Sequence, residues 1–164
     1  MTKLVDAPIV FRKTPYVLVT GGAGFIGANL ADRLARHGRN VLIFDCLARD
    51  HVVDNLDWLS RRHGGRIGVA TADVRDFESV REAVRGATQV YHLAAQVAVT
   101  CSIEDPITDF DVNARGTLNV LEAIRGCAEP PPLVFTSTNK VYGVACAVGD
   151  LRQDGRRLQT GARR

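Results

Sequence analysis

Residues 16–27, Tyr-Val-Leu-Val-Thr-Gly-Gly-Ala-Gly-Phe-Ile-Gly, constrain this chain more than any other stretch. The apolar run Val17, Leu18 and Val19 ends in Thr20, and Gly21, Gly24 and Gly27 follow at three-residue spacing. Ala28 to His37 is then made of helix formers. This pattern predicts a buried strand, a tight glycine turn and the N-terminus of a helix. Such a turn lets backbone come close to a pyrophosphate, and the helix end offers free N–H groups and a partial positive charge. Alone, the glycine spacing is equally well read as a structural turn. The strand before it, the helix after it and the pieces downstream favour a phosphate cradle, with Gly21, Gly24, Phe25, Ile26 and Gly27 as candidate cofactor contacts.

From there the apolar pattern alternates. A strand over 16–20 and a helix over 25–37 are closed by Gly38 and Asn40. Val41-Leu42-Ile43-Phe44 reads as a strand buried on both faces, ending in Asp45. A second helix spans 51–62, a third strand 66–71, a third helix 77–85 and a fourth strand 89–93. A loop through 97–105 leads to Pro106, a residue suited to the first turn of a helix. That helix runs to 125, with Ile107, Phe110, Ala114, Leu118, Leu121 and Ile124 on one stripe, while Val112 and Val120 point elsewhere. Glu129-Pro130-Pro131-Pro132 breaks the pattern, and Leu133-Val134-Phe135 is strand five. Strict alternation predicts an α/β fold, a doubly wound parallel sheet of order 3-2-1-4-5 with helices on both faces. Residues 1–14 read as an N-terminal extension, 15–143 as the folded domain and 144–164 as a basic tail without structure.

In such a sheet a ligand lies beyond the carboxyl ends of the strands. Asp45 ends strand two, where a carboxylate can accept both ribose hydroxyls of an adenosine and would repel a 2′-phosphate. That favours NAD over NADP, with Arg49 close enough to soften the repulsion; the alternative is an aspartate that caps the next loop. Asp73 can accept from an adenine amino group with Val74 against the ring, and can equally cap the third helix. Leu93, Ala94, Ala95 and Gln96 would let a dinucleotide pass close to the backbone, though a plain turn accounts for the small residues as well. Ser137 and Thr138 follow strand five.

Five segments carry a specific resemblance: Thr20 to Gly27, Asp73-Val74-Arg75-Asp76, His92-Leu93-Ala94-Ala95, Asn113 to Glu122, and Ser137 to Gly143. Over residues 15–143, and in the same order, they resemble the extended short-chain dehydrogenase/reductases, the NAD-dependent nucleotide-sugar epimerases and dehydratases. The resemblance implies a Rossmann-like domain, NAD as cofactor, an NDP-sugar substrate and reversible hydride abstraction at a sugar carbon. It gives Thr138 the role of hydrogen-bonding the reacting hydroxyl. It also implies a homodimer, or self-association, through helix 106–125. Asn139-Lys140 stand where the dehydratases carry an acidic pair, which disfavours dehydration. The family's base, a Tyr-x-x-x-Lys pair, is absent from these 164 residues, and the composition shift after Gly143 reads as a truncation or an altered frame. The chain therefore resembles the cofactor-binding N-terminal part of an epimerase, inactive by itself. A non-catalytic NAD-binding module and a gene product without function remain open beside it.

Composition excludes other classes. Residues 144–164 carry five arginines against Asp150 and Asp154, which accounts for the whole formal charge of +3 and leaves the rest neutral. A neutral body argues against a nucleic-acid surface. No apolar stretch approaches the ~20 residues of a membrane span, and residues 1–14 show no signal-peptide pattern, so a cytoplasmic protein is expected. Cys46, Cys101, Cys127 and Cys146 are scattered and share no ligand-type spacing with the histidines, so neither a disulfide framework nor a metal site is expected.

Overall fold

The computed structural model describes residues 14–138, together with the backbone of 151–154 and 157–160. Five strands, β1 (Tyr16–Thr20), β2 (Val41–Asp45), β3 (Ile67–Thr71), β4 (Ala87–His92) and β5 (Leu133–Phe135), form one parallel sheet in the order β3-β2-β1-β4-β5. Helices α1 (Phe25–Arg36), α2 (Val52–His63) and α3 (Phe77–Arg85) connect the first four strands. The predicted class and strand order are those observed.

Side-chain alternation along the strands divides the core in two. Val17, Val19, Val41 and Ile43 face α1 and α2, meeting Ala28, Ala31, Leu56 and Leu59. Tyr16, Leu18, Leu42 and Phe44 face the opposite way, against Val80, Val84, Val120 and Ala123. Both faces of β1 and β2 are thus covered, which is why those strands read as unbroken apolar runs. The buried face of α1 is Gly27, Ala28, Ala31, Asp32 and Ala35, small enough for the helix to lie close on the sheet.

Three expectations are corrected. The loop through 97–105 contains a helix, α4 (Val99–Glu104). Val99, Thr100 and Ile103 are β-branched and Ala98 offers no side-chain cap, so the segment carries no local helix signal. It is fastened through Ser102, whose Oγ lies 2.7 Å from Asp109 Oδ1 and 3.1 Å from the Ala98 carbonyl oxygen.

The helix from Pro106 is not uniform. It runs as α5 (Pro106–Phe110), a π-helical turn (Asp111–Arg115) and α6 (Gly116–Arg125). The predicted stripe turns outward: Ile107 is 73% exposed, Phe110 62%, Leu118 54% and Leu121 46%. Gly116, Val120 and Ala123 form the buried face, and Ile124 sides with it.

The tail was expected to lack structure. Instead β6 (Leu151–Asp154) pairs antiparallel with β7 (Arg157–Thr160). The sequence between them is Gly155-Arg156, a two-residue link opening with glycine, which is a hairpin signal that the arginine content obscures. The expectations for 1–13, 139–150, 155–156 and 161–164 lie outside the described residues.

Candidate active site

The carboxyl ends of the five strands lie along one edge of the sheet, and the strand order reverses between β1 and β4. The glycine turn sits at the centre. Gly21 adopts φ +66°, and a Cβ there would lie 2.7 Å from the Ala94 nitrogen, so the turn rests directly on the segment after β4. A Cβ on Gly27 would run into the Gly21 carbonyl and the Gly22 Cα (2.6 Å), which fixes how closely α1 approaches the turn. Gly24 differs, since a Cβ there would meet only the Gly21 carbonyl oxygen, at 3.3 Å. Gly24 is also the N-cap of α1, with no side-chain cap bond and no acidic residue in the first turn. The positive end of this helix therefore opens on space in front of Gly24, Phe25 and Ile26, the latter two 83% and 67% exposed.

Asp45 is built into the same wall. Its Oδ2 accepts from the Ala23 N–H at 3.0 Å and its Oδ1 from the Leu47 N–H at 2.9 Å. A carboxylate has about four lone-pair sites, so two remain for another donor. The Ala72 N–H donates to the Asp45 carbonyl (3.2 Å), which brings the end of β3 alongside. Asn55 of α2 donates to the Ala23 carbonyl at 2.8 Å and tethers the turn from below. Arg49 donates to the Ala95 carbonyl at 3.1 Å, so its guanidinium reaches across to the far wall.

Asp73 does not cap α3. That role belongs to Asp76, which accepts from the Glu78 N–H at 3.1 Å and the Ser79 hydroxyl at 2.5 Å. Asp73 instead takes the Arg75 guanidinium on both oxygens (3.0 and 2.7 Å), and these bonds hold its carboxyl below the usual range. Val74 is 5% exposed and packs where Gly116 leaves room, so little of its surface remains for a ring. The far wall, after β4, is ordered from the π turn: Asn113 accepts from the Gln96 N–H (2.9 Å) and donates to its carbonyl (3.1 Å). Leu93, Ala94 and Gln96 are half-buried, Ala95 is exposed, and Thr138 lies exposed beyond β5.

The walls are legible in the sequence, and the bonds that hold them are not. Thr20, Asn55, His92, Asn113, Thr117 and Asn119 form hydrogen bonds between elements. Asn119, for example, donates to the Val74 and Arg75 carbonyls at 2.9 and 3.1 Å. Asn113, Thr117 and Asn119 carry no distinguishing signal, because the stretch 106–125 also holds Thr108, Asp109, Asp111, Arg115, Glu122 and Arg125. Among the described residues there is no cluster that could hold a metal and no helix long and apolar enough to cross a membrane.

Comparison with known proteins agrees with this geometry. Residues 18–153 match the family model described as GDP-mannose 4,6 dehydratase. The chain is 41% identical over 129 residues to the CDP-paratose 2-epimerase of Salmonella typhi, a match covering 77% of this chain and 38% of that protein. The crystal structure of UDP-glucose-4-epimerase from Stenotrophomonas maltophila, with bound NAD and formylated UDP-arabinopyranose, superposes with a TM-score of 0.71 at 32% identity. That match covers 78% of this chain and 38% of the other. The UDP-glucose 4-epimerase of Bifidobacterium longum, in complex with NAD+ and UDP, gives 0.70 at 28% identity, covering 90% and 43%. The chain thus spans less than half the length of these relatives. With the glycine turn, the strand order and these matches in agreement, the chain belongs to the extended short-chain dehydrogenase/reductase family of nucleotide-sugar epimerases and dehydratases.

Proposed function

We propose that this chain is the NAD-binding N-terminal part of a nucleotide-sugar epimerase, with a CDP-sugar of the paratose type as the substrate of the whole protein. The observation that carries the reading is the uncapped start of α1 at Gly24, where a Cβ would meet only the Gly21 carbonyl oxygen, with Asp45 bonded to the same turn through Ala23. It fits a pyrophosphate, and the two unused lone-pair sites on Asp45 fit a ribose diol. Bound NAD supplies the hydride acceptor and donor. Around it, the residues of this chain bind and orient: the first-turn N–H groups of α1 hold the phosphates, Asp45 selects the adenosine ribose, and Leu93 to Gln96 line the far wall. Asp73, with its charge already answered by Arg75, supports the adenine side. Thr138 would hydrogen-bond the reacting hydroxyl. The likeness to the Salmonella protein supports the CDP-sugar reading, and the exposed stripe on α5 and α6 supports pairing of two copies. The absence of a membrane-crossing helix among the described residues is in keeping with a cytoplasmic setting.

Calorimetric titration of NAD and NADP into the wild type and Asp45→Ala tests the site. NAD is expected to bind more tightly than NADP to the wild type, and the variant is expected to lose that preference. Equal affinities in the wild type would overturn the assignment of Asp45.

A further inference from the structure

His92 ends β4 with a ring only 1% exposed, and the binding reading above gives it no task. The ring stacks on Phe135 of β5, with centroids 5.8 Å apart and planes 22° from parallel. Both nitrogens are engaged, Nδ1 with Thr20 Oγ1 at 2.7 Å and Nε2 with Thr117 Oγ1 at 3.1 Å. The direction of each bond follows from the ends inward. The Asn113 carbonyl can only accept, so the Thr117 hydroxyl donates to it, at 2.6 Å. The Thr117 oxygen must then accept, which places the imidazole proton on Nε2. Nδ1 is left bare and accepts from the Thr20 hydroxyl. The Thr20 oxygen in turn takes the N–H groups of Leu93 and Ala94, each at 3.2 Å.

No other protonation state suits this arrangement. With the proton on Nδ1, three donors would crowd the Thr20 oxygen, and Nε2 would face the Thr117 oxygen with no hydrogen between them. A doubly protonated ring would crowd Thr20 in the same way. Burial agrees with a neutral ring, pushing its pKa down to about 4.

Thr20 immediately precedes the glycine turn, and Ala94 is the residue on which that turn rests. We infer that His92 is a positioning residue: it holds the Thr20 hydroxyl in the one orientation that seats the Leu93–Ala94 backbone against the glycine turn, and so sets the width of the dinucleotide crevice. The last step rests on the NAD-binding reading; the seating of the backbone does not.

Three substitutions separate the two ends of the ring. His92→Asn keeps an acceptor near the position of Nδ1, His92→Gln keeps a donor near that of Nε2, and His92→Phe keeps only the stack. Amide hydrogen exchange at Ala94, taken relative to Val90 in the same strand, reads the seam with no cofactor present. Ala94 is the cleaner reporter because the Leu93 N–H also reaches the Thr20 carbonyl, at 3.1 Å. Exchange at Ala94 is expected to be about tenfold faster in the Gln and Phe variants and nearly unchanged in Asn, as loss of one hydrogen bond implies. NAD affinity should follow the same order, about tenfold weaker for Gln and Phe. Exchange that rises evenly along β4 in all three variants would reduce His92 to a core residue and overturn the inference. So would nitrogen NMR of the wild type showing the proton on Nδ1, a measurement that needs no variant to fold. If the wild type binds no NAD, the cofactor reading fails, and the exchange pattern still decides the positioning role.

Discussion

Gly24 and Gly27 lie three residues apart in the same turn, yet a side chain does different harm at each. At Gly24 a Cβ meets a single atom, the Gly21 carbonyl oxygen at 3.3 Å, which a shift of a few tenths of an ångström relieves, so Gly24→Val should keep its fold by circular dichroism and lose dinucleotide binding in calorimetry. Unchanged affinity would mean that the glycines serve the turn alone. At Gly27 a Cβ strikes backbone on two residues, so Gly27→Ala should unfold at lower denaturant, by about 1–3 kcal/mol as overpacking costs. His92 gives a pH signature. Its folded pKa of about 4 lies below the ordinary 6.5, so the unfolded chain binds the extra proton. Stability is therefore full above about 6.5 and falls as pH drops toward 4, by about 3 kcal/mol in all. Urea unfolding between pH 7 and 4.5 should show this slope in the wild type and not in His92→Phe. Gly21 to Gly27 and Asp45 were legible in the sequence because their positions at strand ends are set by local pattern. Thr20, His92 and Thr117 were not, because their bonds join residues 72 and 25 positions apart, and a polar residue at the end of an apolar run looks the same with or without a partner.

At the scale of elements, the joint between α1 and α2 is polar. Asp32, 7% exposed on the inner face of α1, accepts from Arg36 (2.7 Å), Arg62 (2.9 Å) and His63 (2.7 Å). Burial raises its pKa, but the bonds from His63 and Arg36 and the charges of Arg36 and Arg62 outweigh it and leave the carboxyl below its ordinary range. Asp32→Ala should cost about 1–3 kcal/mol in denaturant unfolding, with the two half-exposed arginines turning to water. A cost below a few tenths of a kcal/mol would show the joint to be carried by apolar packing. Elements with a clear apolar pattern, such as the stripes of α1 and α3 and the unbroken run of β2, could be placed from sequence because burial of one face or both selects one pattern. The short α4 escaped notice because its fastening, Ser102 to Asp109, belongs to the next element. The stripe on α5 and α6 was seen, but its direction was not: periodicity gives a face, and only the packing of Gly116 against Val74 says which face turns inward.

For the whole molecule, the outward stripe of Ile107, Phe110, Leu118 and Leu121 and the exposed Val134 and Phe135 on β5 leave much apolar surface in water. Patches of a few hundred Å² or more mark association surfaces. Sedimentation at micromolar concentration should therefore show self-association, and Leu118→Glu should shift it toward monomer. A wild-type monomer with a sharp two-state melt would show that this surface needs no partner. The strand order carries a further consequence, in time. The first strand made is the middle one, and its second neighbour, β4, closes on it across 72 residues, from Thr20 to His92. At ribosomal rates of about 5–20 residues per second, β1 waits roughly 4–14 s with one edge unpaired. Through that interval β1, β2 and β3 form a half-sheet whose unpaired edge is β1, carrying Val17, Leu18 and Val19, each buried to within 1% in the finished fold.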